Sequence, residues 1–233
     1  MSATDNTTAI PAVASAAAPG SDAEPAAPRI AAVIPVGTLE GTKSRLGGTL
    51  DAEERQDLTE RLLSRTVAAA LAVQDLADVL VISPDRDLLR RAANLGARTL
   101  RQRSRGLNSG LDEARDDVLA GGADAILILP IDLAFVSALT VASVVGPLLG
   151  GGPGRTVVLV TDRHGNGTNA LALRPPGVIE FAFGPGSRIA HRDAAVAAGA
   201  TYTEVASPLA FDIDTPADLV AVESMTPEEI GAG

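Results

Sequence analysis

Cysteine and tryptophan are absent from this chain, aromatic residues make up 2% of it, and lysine occurs once among 19 basic residues. Without cysteine there is no disulfide, no thiolate metal ligand and no thiol nucleophile, and a reducing compartment suits the sequence. Two histidines, His164 and His191, are too few for a three-histidine metal site, and each reads as a structural or surface residue. No G-x-S-x-G elbow offers a serine nucleophile. With so few aromatics in a chain that is 46% hydrophobic, Ala, Val, Leu and Ile must fill the core. No run of ~18 uninterrupted apolar residues is present, so no membrane-spanning helix is expected. No Lys or Arg precedes Arg29, so the apolar stretch Ala12–Ala18 lacks the basic flank of a secretory signal, and a cytoplasmic location is expected. Positive charge is short overall. A net charge of −10 argues against nucleic-acid binding. A small anionic substrate is still compatible with it, because a local basic loop or a metal ion reverses the field near a site.

The 233 residues suffice for one large α/β domain. Residues 1–28, rich in Ala, Pro, Ser and Thr and without apolar periodicity, read as a disordered tail. A domain is expected over 29–224, followed by a short C-terminal tail at 225–233. Short apolar runs predict strands at Ile30–Val36, Val79–Ser83, Ala97–Leu100, Ala125–Pro130, Arg155–Thr161, Ala170–Leu173 and Leu209–Phe211. Helices are expected at Asp51–Val73, Asp85–Leu95, Leu111–Ala120, Val136–Leu149, Arg188–Ala198 and Pro216–Val222. This alternation implies βαβ units and a mostly parallel sheet with helices on both faces. In such sheets ligands bind beyond the carboxyl ends of the strands, so the loops that follow strands carry the candidate chemistry.

Five of these loops stand out. The first, from Pro35 to Leu46, contains Gly37, Gly41, Lys43 and Arg45. Backbone N–H groups there can cradle phosphates while the cations offset their charge, although the Walker A spacing is missing; a solvated basic turn is the plain alternative. Asp132 follows the most apolar strand and suits a magnesium ion that also touches phosphate oxygens, or else it caps the next helix. Asp212 and Asp214 lie two residues apart, so on extended backbone they share one side and suit the same hard cation; Asp214 can also cap the helix at Pro216. The loop from Asp162 to Ala170 supplies Gly165 and Gly167 for close approach, with Thr168 and Asn169 as uncharged donors. Phe181–Ser187 leads into a helix, where Ser187 either caps it or binds an anion through side chain and backbone together. Asn108 and Ser109, before another helix, either contact a base or ribose or cap that helix.

The order of these motifs is more specific than any one of them. Ile-Pro-Val with Lys43-Ser44-Arg45-Leu46, Gly106-Leu107-Asn108, Leu129-Pro130-x-Asp132-Leu133, Gly167-Thr168-Asn169-Ala170-Leu171, Phe183-Gly184-Pro185-Gly186-Ser187 and Asp212-Ile213-Asp214-Thr215-Pro216 together resemble the 2-phospho-L-lactate guanylyltransferase family. Bacterial phosphoenolpyruvate guanylyltransferases of coenzyme F-420 biosynthesis belong to that family. The resemblance spans Ile30 to Val222. It implies a Rossmann-like nucleotidyltransferase fold and transfer of GMP from GTP to a small phospho-carboxylic acid such as phosphoenolpyruvate, 2-phospho-L-lactate or 3-phosphoglycerate. It implies magnesium, with manganese as a substitute, held by Asp132, Asp212 and Asp214. Acceptor binding maps to Thr168, Gly184 and Ser187 and charge neutralisation to Lys43 and Arg45, with Asp132 central to catalysis; Gly37 and Asn108 are candidates for nucleotide binding from their loops alone. The product would pass to a deazaflavin transferase, and a homodimer is compatible with the family. One departure is Gly37, where family members often carry lysine. The rival readings are a sugar- or pterin-accepting enzyme of the same fold, and a nucleotide-binding subunit without activity.

Overall fold

The computed structural model describes residues 27–38, 51–150, 154–213 and 218. Lys43, Arg45, Asp214, most of the expected N-terminal tail, all of the expected helix at Pro216–Val222 except Asp218, and the C-terminal tail lie outside the described residues.

Among the described residues, seven strands form one sheet. They are β1 (Ile30–Pro35), β2 (Leu76–Ser83), β3 (Arg98–Arg101), β4 (Ala125–Ile128), β5 (Thr156–Thr161), β6 (Thr168–Arg174) and β7 (Thr201–Glu204). The order across the sheet is β3-β2-β1-β4-β6-β5-β7. Strand β6 runs antiparallel to both neighbours, and every other pairing is parallel. The expected mostly parallel sheet therefore holds, with one reversed strand inside it.

Among the described residues five α-helices cover the sheet: α1 (Ala52–Leu71), α2 (Arg86–Asn94), α3 (Leu107–Ala120), α4 (Ala138–Gly150) and α5 (Ser187–Ala197). Strand alternation decides which face each contacts. Ile30, Ala32, Ile34, Leu127 and Leu129 point to one side and pack with Leu63 and Val67 of α1, Leu88 of α2 and Val144, Val145 and Leu148 of α4. Ala31, Val33, Ile126 and Ile128 point to the other and pack with Leu111, Ala114 and Val118 of α3 and Ala195 of α5. Both faces of the central strands are thus buried, which explains their continuous apolar runs.

Local signals set most boundaries. Asp51 caps α1 in a reciprocal box with Glu54: Asp51 Oδ1 accepts from Glu54 N at 2.9 Å, and Glu54 Oε2 accepts from Asp51 N at 2.8 Å. Three expectations are corrected. Helix α3 begins at Leu107, so Asn108 and Ser109 lie inside it; its cap is Gly106, held at φ +90°. Helix α5 begins at Ser187, which is therefore its first residue and not its cap; the cap is Gly186 in the left-handed region. The segment expected as a strand at Leu209–Phe211 is instead a 3-10 turn at Pro208–Ala210, and the last strand is β7. Among the described residues no helix is long and apolar enough to cross a membrane.

Candidate active site

Strands β1 to β5 end on one rim. The hairpin 162–167, the start of β6 and the N-termini of α3 and α5 reach the same rim, as the direction of each element requires. Beyond β1, Val36 N donates to Ile82 O at 2.9 Å. The carbonyl of exposed Gly37 accepts from Ser83 Oγ at 3.4 Å, which ties the start of the first loop to the end of β2.

The two acidic segments meet on this rim. Leu133 and Asp212 form an isolated antiparallel bridge. Around it Ile213 N donates to Asp132 O at 2.9 Å, and Ala134 N donates to Phe211 O at 2.8 Å. Asp132 therefore sits one residue out of register with Asp212, on the neighbouring segment. Four contacts hold this pair in place. Leu133 and Ile213 are buried in the core. Arg65 of α1 donates to Leu133 O at 2.7 Å. The amide of buried Asn169 donates to Leu209 O and Ala210 O at 3.0 and 2.9 Å. Arg163 donates to Asp212 O at 3.2 Å and pairs with Asp218. Asp132 does not cap α4, whose first turn is closed by Ser137 and Thr140. Carboxylate oxygens without sulfur donors suit a hard divalent cation. Among the described residues no three His, Asp or Glu side chains are grouped to hold one alone, so a shell here needs Asp214 or oxygens from a ligand.

Next to the acidic segments, the hairpin 162–167 and the start of α5 form a second cluster. Asp162 shapes the hairpin by accepting from Asn166 N at 2.8 Å. Burial raises the Asp162 carboxyl, but backbone N–H groups of Asn166, Gly167 and Gly165, with His164 nearby, outweigh this and hold it below the ordinary carboxylate range. Arg188 fastens this hairpin to α5 and β7. It donates to Gly165 O at 3.0 Å and grips Glu204 through two bonds of 3.0 and 2.9 Å. Thr168 opens β6, and its Oγ1 lies 3.0 Å from Nδ1 of His191. His191 is fully buried, and its Nε2 accepts from Ala182 N at 3.0 Å. Burial pushes its pKa down to about 4.

The segment leading into α5 is held by an amide clasp. Asn108 Oδ1 accepts from Phe183 N at 2.9 Å, and its Nδ2 donates to Phe183 O at 3.1 Å. Both ends of that side chain are thus engaged with backbone, so Asn108 orients the Phe183–Ser187 turn. Gly184 has φ +136°, which an L side chain rarely adopts. The amides of Ser187, Arg188 and Ile189 donate to Gly184 O, Asn166 O and Gly186 O at 3.1, 3.3 and 3.1 Å. The backbone N–H of Ser187 is therefore already engaged within the turn, and the residue is buried.

Of the residues singled out from sequence, Asp132 and Asp212 come together on one part of the rim. Thr168 and the Gly184–Ser187 turn come together on another. Sequence reasoning missed the partners of Asn108, Asn169, Arg163 and His191. The only signal available was their position beside the motifs, because their contacts span 75, 41, 49 and 23 residues.

Residues 30–225 match the family described as "Guanylyl transferase CofC like". The chain is 43% identical over 197 residues to a phosphoenolpyruvate guanylyltransferase of Sphaerobacter thermophilus, covering 84% of this chain and 93% of the relative. It is 45% identical over 194 residues to the enzyme of that name from Rubrobacter xylanophilus, covering 83% and 93%. It is 33% identical over 190 residues to a 2-phospho-L-lactate guanylyltransferase of Methanothermobacter thermautotrophicus, covering 81% of each. Among solved structures it is similar in fold to a putative nucleotide-diphospho-sugar transferase from Desulfovibrio desulfuricans, at 16% identity and TM-score 0.67, covering 84% of this chain and 86% of that one. It is also similar to glucosyl-3-phosphoglycerate synthase from Mycobacterium tuberculosis, solved with Mn2+, UDP and phosphoglyceric acid, at 18% identity and TM-score 0.55, covering 76% and 68%.

Proposed function

The chain belongs to the CofC-like guanylyl transferase family, and from that premise we propose that it transfers GMP from GTP to a small phosphorylated carboxylic acid, releasing pyrophosphate. The catalytic unit is taken as a single domain over 29–224, acting in the cytoplasm in coenzyme F-420 biosynthesis. A deazaflavin transferase would consume the product, and a homodimer is compatible with this role.

The bridge between Leu133 and Asp212 is the observation that carries this reading, because it draws two acidic segments 79 residues apart in sequence onto one patch of the ligand-facing rim. Asp132, Asp212 and Asp214 would hold magnesium, or manganese in its place. When bound, that ion supplies positive charge to the triphosphate oxygens. Gly37 would lend backbone to the nucleotide phosphates, and Lys43 and Arg45 would offset the repulsion between two polyanions. Thr168, Gly184 and Ser187 would hold the acceptor. A phosphate oxygen of the acceptor then attacks the α-phosphorus of GTP, the bond to the β-phosphate oxygen breaks, and pyrophosphate departs. The acceptor phosphate is already anionic, so the step needs no strong base. Alignment of the two substrates is the main task of the chain. The neutral, fully buried His191 fits a site without a histidine base.

The test is purified protein with GTP, magnesium and a panel of phosphoenolpyruvate, 2-phospho-L-lactate, 3-phosphoglycerate and sugar phosphates, with pyrophosphate as the readout. Transfer to a phospho-acid is expected. No turnover with any of them, or turnover with sugar phosphates alone, overturns the proposal. Asp132→Asn is expected to lower kcat at least ~100-fold with the thermal midpoint unchanged within a few degrees, as loss of a charge-organising group in a transfer site does.

A further inference from the structure

We propose that His191 is a positioning residue that fixes the Thr168 hydroxyl as a hydrogen-bond donor toward the anionic acceptor. This rests on the reading that Thr168 binds that acceptor, and it adds a residue with no assigned role in that reading.

The argument begins with a group that can act in only one way. The Ala182 N–H can only donate, and it points at His191 Nε2 from 3.0 Å. Nε2 must therefore present its lone pair, and the single proton of the neutral ring sits on Nδ1. Nδ1 lies 3.0 Å from Thr168 Oγ1, so its N–H donates to that oxygen. A hydroxyl that receives a bond there keeps its own proton for another acceptor. The opposite tautomer would reverse this, because Thr168 would donate to the ring and turn a lone pair toward an incoming anion. Burial of the whole ring keeps water from scrambling the arrangement.

The same ring also sets a distance. Its Nε2 bond holds Ala182, two residues before Gly184, and its edge packs against Phe183 with centroids 5.1 Å apart at 70°. Asn108 clasps the backbone of Phe183 from the other side. One imidazole thus spans the two chain segments that would grip the acceptor, with Thr168 on β6 and the turn before α5.

The two ring nitrogens can be tested separately. In His191→Gln the amide oxygen can still accept from Ala182 N–H, and the donor to Thr168 is lost. Its KM for phosphoenolpyruvate, or for whichever panel acceptor turns over, is expected to rise about tenfold, the scale of one hydrogen bond to a charged group. The KM for GTP should stay within about twofold, since no bond to the nucleotide loops is altered. In a Thr168→Val background the hydroxyl is gone, so adding His191→Gln should change the acceptor KM no further. Thr168→Ser should behave like the unmodified protein. An unchanged acceptor KM in His191→Gln, a parallel rise in the KM for GTP, or additive effects in the double variant overturns the proposal.

Nitrogen-15 NMR of the unmodified full chain at pH 7 gives a readout that needs neither turnover nor a folded variant. A neutral ring protonated at Nδ1 is expected, and an Nε2–H or cationic ring overturns the proposal. Lack of GMP transfer by the unmodified protein strikes the functional reading instead and leaves the ring's tautomer to be decided by this spectrum.

Discussion

Gly167 sits where a side chain would collide with the carboxylate that organises its own loop. A Cβ there would lie 2.9 Å from Asp162 Oδ2, closer than real contacts allow. Gly167→Ala is therefore expected to destabilise the protein by about 1–3 kcal/mol, the range for overpacking, and to raise the acceptor KM; a thermal melt and initial rates check both. His191 gives a prediction in pH. Its folded pKa of about 4 lies below the ordinary 6.5, so as pH falls the unfolded chain takes the proton first. The stability it contributes is complete above pH ~6.5 and is lost progressively down to pH ~4, by on the order of 3 kcal/mol. Urea unfolding at pH 7.5 and pH 5 measures the part titrated between them: the loss should be smaller in His191→Gln by about 2 kcal/mol, and equal losses would refute it. Asp132 and Asp212 were legible from sequence because a carboxylate just past an apolar run is a local pattern. The clasp of Asn108 on Phe183 was not, because it pairs one side chain with backbone 75 residues away.

Elements were legible where composition and period agreed. The helix expected from Asp51 forms as α1, and the capping box that closes it is carried by four consecutive residues, Asp51 to Glu54. Asp51→Ala is expected to cost about 1 kcal/mol and lower the thermal midpoint by roughly 2–4 °C. Strand β7 escaped notice because it is a four-residue edge strand, Thr201–Glu204, in which no residue is buried and no apolar run exists. The reverse error at Leu209–Phe211 has an equally physical source. Those residues are apolar because they pack under the acidic bridge, but Pro208 has a fixed φ and no N–H, and Ser207 starts a tight turn instead. The start of α3 lies four residues before the expected Leu111 because Gly106, at positive φ, forms the entry to the helix. The six residues between β5 and β6 are too few for a crossover helix, so the reversal of β6 follows from connection length once both strands are known.

At the scale of the whole molecule, stability and chemistry occupy different places. The central strands are buried on both faces, and Leu127 in β4 is completely enclosed. Leu127→Ala should cost about 2–5 kcal/mol, whereas Ile189→Ala on the half-exposed face of α5 should fall within about ±0.5 kcal/mol; urea titrations of the two variants provide the comparison. The mostly parallel, two-faced architecture was legible from the alternation of apolar runs with amphipathic stretches. The order of strands was not, since it depends on which edges meet in space.

Strand β6 divides the molecule in a way that bears on how such proteins diversify. A parallel strand is threaded through a helix on one face, so altering its approach disturbs the packing beneath. A reversed strand reached by a short hairpin carries no such obligation. The length of the 162–167 hairpin can therefore change without reordering the sheet, while Arg163 within it stays tied to Asp212 O. Under the proposed function, in which Thr168 at the end of this hairpin holds the acceptor, recognition of the smaller substrate is the more readily revised feature and the acidic bridge at Leu133 and Asp212 the less.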